Sequence, residues 1–507
     1  MQYLIGVDLG TSGVKTVLFD ETGAALASRT VEYPLYQPHN GWAEQAPEDW
    51  YEAAVKTIRA VLEESGADPA RVAGVGFSGQ MHGLVMLDGE GRVLRPAILW
   101  CDGRTGAQCE EITRIVGRER LIGVTANPAL PGFTASKILW VRENEPELYA
   151  RCRKILLPKD YLRWRLTGAY AAEVSDASGM NLLDVANRRW SDEVLDALDI
   201  DRSLLPELLE SCEVAGRISR EAAAATGLLE GTPVVAGAGD NAAAAVGMGV
   251  VEEGRAFTTL GTSGVVFAHS GRVAIDPAGR VHTFCAAVPG AWTTMSCTLA
   301  AGMSLKWLRD NFFPAERETA EGMGVDPYML MDQQAARVPI GANRLIYLPY
   351  LMGERSPILD EKSRAVFFGL SAIHTKYDML RAVMEGVVYS QRACLDILRE
   401  MGVKFETMLA CGGGGSSRLW RQMLADVYGC EVATTVSKEG PALGAAILAG
   451  VGTGVYESVA SACRSVVRTN PAQAPNAQDS ARYAPYYEVY RSLYPALRDS
   501  FAALAAL

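Results

Sequence analysis

Six residues, Leu-Gly-Thr-Ser-Gly-Val, occupy positions 9–14 and recur unchanged at 260–265, once at the front of each half of the chain. Glycines let backbone N–H groups close around an anion, and Thr and Ser add hydroxyl donors, so each string can cradle a phosphate. Apolar runs flank both copies, at 3–7 and 14–19 and again at 256–259 and 265–268. Each copy therefore reads as a β-hairpin with a Gly-Thr-Ser-Gly tip. A single tip of this kind is usually an ordinary tight turn. A repeated one signals duplicated architecture, and two facing phosphate loops imply a nucleotide in a cleft. Asp8 precedes the first copy and Thr259 the second, so one half brings a carboxylate suited to Mg²⁺ or its water shell.

Three further groups carry chemistry. Asp240 follows an expected strand at 233–238 and opens an alanine-rich helix, where a carboxylate at a sheet's C-terminal edge faces open space; the structural alternative is a helix N-cap. Gln80-Met81-His82-Gly83 and Trp100-Cys101-Asp102-Gly103-Arg104 each follow an apolar stretch. A lone histidine is more often structural, yet two strand ends presenting hydrogen-bonding groups suit a polyhydroxylated ligand, with Trp100 available for its carbon face. Finally, Gly412, Gly413, Gly414 and Gly415, with Ser416 and Ser417, separate an expected strand at 407–411 from a helix at 419–428. Strand, glycine turn and helix start let a base or a phosphate lie against bare backbone.

Alternating strand-like and helix-like stretches must position these groups. Pro47 begins a helix with Trp50, Ala54, Val55, Ile58, Val61 and Leu62 on one face. A strand at 72–77 and an apolar stretch at 84–87, ending in an Asp88-Gly89 turn, follow. This is α/β patterning. Residues 74–79 satisfy G-x-G-x-x-G, but the sequence after them has no helical period, which argues against dinucleotide binding. A Walker A loop is absent too. A long helix at 376–401 shows a stripe of Leu380, Val383, Met384 and Val387 and stops at Gly402. Small-residue helix starts at 239–245 and 440–446 permit close helix approach, as at a hinge. Residues 470–480 read as a loop, and 486–507 as a terminal helix docked on the second half.

At 507 residues the chain exceeds one core, and the duplication favours two domains. A net charge of −11 would repel nucleic acid and acidic lipid, which excludes both as partners. The first residues lack a basic leader, and no run reaches the roughly 20 apolar residues of a membrane span. Ten cysteines lie scattered without a CxxC pair, and the five histidines do not cluster around them. Reduced thiols in a cytoplasm, without structural zinc, fit that usage.

The chain resembles the FGGY family of carbohydrate kinases, within the actin/hexokinase-like ATPase superfamily. The stretches that carry the likeness are residues 8–15, 79–83, 157–162 and 239–243, the second Gly-Thr-Ser-Gly, Gly353-Glu354-Arg355 and the glycine run from Gly412. The resemblance implies two ribonuclease H-like (actin-like ATPase) α/β domains, residues 1–246 and 247–507, flanking a central nucleotide and sugar cleft. It implies ATP-dependent phosphorylation of a ketopentose, D-xylulose first, with ribulose, fuculose, gluconate or a polyol as alternatives. Asp240 would be the general base. Met81, His82, Trp100, Asp102 and Asn241 would join it at the sugar. Thr11, Ser12, Lys15, Gly261, Thr262, Gly412, Gly413, Gly414 and Ser417 would hold ATP, and Asp8 would hold Mg²⁺ through water. Met81-His82 stands where glycerol-phosphorylating relatives carry Arg-Glu. Cys101 replaces a frequent Asn, and the glycine run lacks the usual following Ala. A homodimer and cleft closure on ligand binding are compatible with the family. The non-enzyme alternative is an actin-like ATPase acting as chaperone or filament, and nothing in the last hundred residues resembles a peptide-binding domain.

Overall fold

The computed structural model describes residues 2–507. In the first half β1 (Tyr3–Leu9), β2 (Gly13–Asp20) and β3 (Ala25–Glu32) form an antiparallel meander. Helix α1 (Pro47–Ser65) starts with proline, ends where Gly66 turns left-handed, and packs Trp50, Ala54, Ile58, Val61 and Leu62 against that meander. Val55 is only half-buried, with Ala53 and Thr57 taking the inner positions. Strand β4 (Val72–Gly79) joins β1 in parallel and continues as strand through the last glycine of the G-x-G-x-x-G string, so no helix opens there.

An inserted layer follows, containing α2 (Thr134–Asn144), α3 (Pro158–Thr167) and the short α4 (Val174–Ala177). The chain then returns to the sheet through β5 (Val214–Arg217), β6 (Pro233–Val235) and β7 (Ala238–Gly239), and leaves along α5 (Asp240–Gly247). The sheet order is β5-β6-β4-β1-β2-β3, with β7 also on β4. The single strand expected at 233–238 is thus two short ones, broken at Ala236 and Gly237, where φ is +80°.

The second half repeats the plan with β8 (Gly254–Leu260), β9 (Gly264–Ser270), β10 (His282–Cys285) and β11 (Trp292–Thr298). Next come α6 (Gly302–Phe312), α7 (Pro327–Ala335), α8 (Lys376–Glu400) and β12 (Phe405–Cys411). One helical turn, α9 (Gly412–Gly415), precedes α10 (Arg418–Tyr428), β13 (Glu431–Ala433) and α11 (Gly440–Gly452). In the order β10-β11-β9-β8-β12-β13 the strands from β10 to β8 pair antiparallel, and β12 and β13 join in parallel beyond β8. Helix α12 (Ala477–Ala505) closes the chain and lays Tyr483, Tyr487 and Tyr490 against Tyr389 of α8. It starts well before the expected residue 486, because Asn476 caps it by accepting from the amides of Gln478 and Asp479. Composition alone had made that stretch a loop.

The halves meet along α5 and α11. A methyl group on Gly444 would overlap the Ala243 carbonyl, and one on Gly247 the Gly440 carbonyl; Gly6 and Gly76 stand in the same relation to Ala442 and Ala445. The small residues at both helix starts therefore serve a backbone-to-backbone contact, with α11 seated on β1 and β4 of the first sheet. The second half also reaches over at β10, where the Thr283 carbonyl accepts from Asn127 Nδ2 at 3.0 Å and the Cys285 amide donates to Ser178 Oγ at 2.9 Å.

Candidate active site

Asp8, near the end of β1, pairs across the ladder with Lys15 of β2 and with Ser78 of β4. Its carboxylate accepts from Ser78 Oγ at 2.9 Å. Burial raises its pKa, while Ser78 and Lys15 oppose the rise. Lys15, expected on the nucleotide, is ion-paired with Glu439, the residue before α11. Asp240 is the first residue of α5, and Gly239 is the cap. The Asp240 carboxylate turns back to its neighbour, where Oδ1 accepts from the Asn241 amide at 2.7 Å and Asn241 Nδ2 at 3.0 Å. The N-cap alternative is thereby excluded. Burial first, then the negative charge of Asp8, push Asp240 up to about 7, against the pull of its bonds to Asn241.

Asp8 thus feels two other carboxylates, Asp240 and Glu439, while the lysine beside it, Lys15, is already held by Glu439. Among the described residues no cluster of three or more metal-ligating side chains stands ready to cage a cation. A charge deficit with few direct ligands fits a hydrated Mg²⁺ carried in on phosphate oxygens, since Mg²⁺ keeps several waters and takes one or two carboxylates.

Beside Asp240, Met81 is buried and packs against Gly239, where an added Cβ would lie 2.9 Å from the Met81 Cγ. His82 is left-handed, φ +68°. Its carbonyl accepts from Lys137 Nζ at 2.8 Å and Thr134 Oγ1 at 3.0 Å, and its ring stacks on Phe133 at 4.5 Å. Burial, aided by Lys137, lowers the His82 pKa to about 3, so the imidazole is neutral. Nδ1 lies 2.9 Å from the Gly179 carbonyl and must donate to it. That tautomer leaves Nε2 as a bare acceptor for a hydroxyl. Trp100 is 47% exposed, with Nε1 donating to Thr11 Oγ1 at 3.0 Å.

Two expected contacts need correction. Asp102 is fully buried: Oδ2 accepts from the Ala43 amide at 2.6 Å and Arg104 Nη2 at 2.6 Å, and Oδ1 from Arg104 N and Nε at 3.0 and 2.9 Å. Both oxygens are committed to holding Arg104 and the adjoining loop, leaving none for a sugar. Thr11, expected on phosphate, spends its hydroxyl between Trp100 and Gln80 Oε1. Ser12 remains exposed at the tip, as does Thr262 in the second hairpin.

Against the second sheet lies a cavity of about 680 Å³. The expected Gly261, Thr262, Gly413, Gly414 and Ser417 line it. Gly412 does not; it is left-handed, φ +76°, and an added Cβ would lie 3.0 Å from the Leu260 carbonyl. Its role is to bring the glycine turn against the hairpin. Sequence reasoning missed Lys306, Tyr328, Met329 and Asp332 on the opposite wall. The signal for that wall was Asp326-Pro327, an N-cap and first-turn proline that start α7. It also missed Phe133, Lys137, His282 and Phe284 around His82. His282 and Phe284 come from β10, and their approach to Phe133, 5.7 and 6.2 Å between ring centroids, is visible only once the halves are folded together.

The chain also has relatives among known proteins. Residues 3–247 match the N-terminal domain of the FGGY family of carbohydrate kinases, and residues 256–453 its C-terminal domain. The chain is similar to the xylulose kinase of Bacillus subtilis (strain 168), 39% identical over 99% of both chains. It is similar also to the xylulose kinase of Escherichia coli (strain K12), 41% identical over 97% of this chain and 99% of the other. The crystal structure of xylulose kinase from Rhodospirillum rubrum superposes with a TM-score of 0.92 at 29% identity, covering 99% of this chain and all of that one. With both domain models matched in order and relatives aligned end to end, the chain belongs to the FGGY family of carbohydrate kinases.

Proposed function

We propose that the chain transfers the γ-phosphoryl group of ATP to the terminal hydroxyl of D-xylulose, giving D-xylulose 5-phosphate and ADP. The observation that carries this reading is the Asp240 carboxylate, poised near neutrality beside Met81 and His82. The relatives at 39% and 41% identity support xylulose as the sugar.

In this reading the 680 Å³ cavity takes the adenosine, and the hairpin tips at Ser12 and Thr262 take the phosphates from either side. Asp8 would hold Mg²⁺, and the cation would supply charge neutralisation at the phosphates. The protein's task is then positioning and charge stabilisation. His82 Nε2 accepts from a sugar hydroxyl, Trp100 covers the carbon face, and Asn241 keeps Asp240 turned toward the attacking oxygen. As the new O–P bond forms and the bond to the ADP oxygen breaks, the hydroxyl proton passes to Asp240. A sugar hydroxyl is a weak acid, so this transfer comes late.

The test is ATP consumption, read as ADP release, across D-xylulose, D-ribulose, L-ribulose, L-fuculose, gluconate and common polyols. D-xylulose should give the highest kcat/KM, and Asp240→Ala should lower kcat by about 10²-fold or more while ATP still binds. Preference for another sugar would retain the kinase and reassign the pocket. Sugar-independent turnover would favour the non-kinase ATPases.

A further inference from the structure

The chain that delivers Asp240 is held in an unusual way. Between β6 and β7 its backbone groups bond sideways into the inserted layer. The Ala236 carbonyl accepts from Arg163 Nη1 at 2.6 Å, the Gly237 amide donates to the Ser211 carbonyl at 2.9 Å, and the Gly239 amide donates to Ser175 Oγ at 3.2 Å.

All three anchors lead to one charged cluster. Ser175 Oγ donates to Glu173 Oε1 and Ser211 Oγ to Glu173 Oε2, each at 2.9 Å. Lys159 Nζ lies 2.7 Å from Asp160 Oδ1, 3.2 Å from Glu173 Oε1 and 3.3 Å from Asp176 Oδ2. Arg163 Nη1 lies 3.0 Å from Asp160 Oδ1. Every one of these five charged side chains is 0% exposed. The cluster also touches the strand that pairs with the base's own: Gly79 of β4 is opposite Gly239, and an added Cβ on Gly79 would lie 2.7 Å from the Lys159 Cβ.

Burying such a group of ions is a poor route to stability, because desolvation offsets the attraction and packed apolar residues would do as well. What ions and hydroxyls provide in dry surroundings is fixed direction. Asp176, the third carboxylate, has only Lys159 beside its Oδ2, and burial raises its pKa against the pull of that lysine.

We propose that the buried Lys159, Asp160, Arg163 and Glu173 cluster, acting through Ser175 and Ser211, is the positioning device for the catalytic base. It fixes the backbone from Ala236 to Gly239 and so sets the aim of the Asp240 carboxylate. None of its members reaches the substrate; they are positioning residues. The inference rests on the reading of Asp240 as the base. A displacement of about 1 Å at a reacting group can cost on the order of 10²-fold in rate, so the device should register in kcat.

The first experiment compares Ser175→Ala, Ser175→Thr, Asp240→Asn and the Ser175→Ala/Asp240→Asn double variant in the full-length enzyme with D-xylulose and ATP. Ser175→Ala should lose about tenfold or more in kcat with both KM values little changed, as expected when only transition-state interactions are lost. The acid limb of its pH profile should move to lower pH, because a loosened Asp240 gains water. Ser175→Thr should recover most of the rate, and Ser175→Ala should cost nothing further in the Asp240→Asn background. Wild-type kcat in Ser175→Ala overturns the proposal, and so does an equal loss in both backgrounds with the acid limb unmoved. Should Ser175→Ala fail to fold, Ser211→Ala is read against the same outcomes. Hydrogen exchange of the unaltered enzyme gives an independent answer: a Gly239 amide that exchanges as fast as surface loops overturns the proposal. If Asp240→Asn itself turns over normally, the base assignment falls first; an inactive Asp240→Asn beside an unaffected Ser175→Ala defeats the positioning device alone.

Discussion

At the scale of single residues the proposed base, Asp240, is tuned by burial and by its neighbour Asp8. Asp240 stands near 7 because burial and the Asp8 charge both penalise its ionised form. Only the carboxylate can accept the sugar proton, so kcat/KM should rise with pH through an acid limb near 7, which reports the free enzyme. Asp8→Asn removes the like charge and should move that limb to lower pH even as the rate falls. A limb that stays put in Asp8→Asn would assign it to another group. Asp102 is tested differently. In Asp102→Ala the Arg104 guanidinium, stacked 3.6 Å over Trp42, keeps Glu44 at 2.8 Å but loses its bidentate partner. Breaking a buried pair in this way should cost roughly 3 kcal/mol in denaturant unfolding. A stable Asp102→Ala whose sugar KM alone rises would restore Asp102 to the substrate.

At the scale of elements, the two identical sextets show how far sequence carries. Their hairpins, their glycine tips and the glycine turn after β12 were all legible, because repetition and local turn chemistry need no tertiary context. Yet the ladders differ by one residue: Leu9 pairs with Val14, whereas Leu260 pairs with Gly264. The same six residues close a wider tip in the first half than in the second, and surroundings set that choice. What escaped reading has the same cause. Glu173, Ser175 and Ser211 look like surface residues until folding buries them in one cluster, and His282 is a lone histidine until β10 crosses to Phe133. The terminal helix was legible from 486, but its first turns, from Ala477 through Pro485, were not. The small-residue pattern of α5 and α11, in contrast, was informative because close approach demands it. Gly444→Ala, whose methyl would meet the Ala243 carbonyl, should therefore destabilise the protein by roughly 1–3 kcal/mol. Urea unfolding measures this, and an unchanged midpoint would mean that the helices part at little cost.

At the scale of the molecule, the contacts between halves decide what motion is available. The α5–α11 contact leaves no room for sliding, since carbonyl groups occupy the space where side chains would stand. The β10 strand is held to the first half by Asn127 and Ser178, and the Ala291 carbonyl beyond it accepts from Arg188 Nη1 at 2.6 Å. Separation of the halves would break these bonds, whereas rotation about them would not. Closing such a cleft excludes water from the γ-phosphate and completes the catalytic arrangement. In the proposed reading ATP spans the two hairpin tips and the sugar adds contacts beside Asp240, so closure should be fullest with both ligands bound. Small-angle scattering should accordingly show a fall in radius of gyration with D-xylulose and a non-hydrolysable ATP analogue together, and a smaller fall with either alone. A radius that ignores both ligands would mean that the cleft is already in its working geometry, and that water is excluded by the ligands themselves rather than by the protein closing over them.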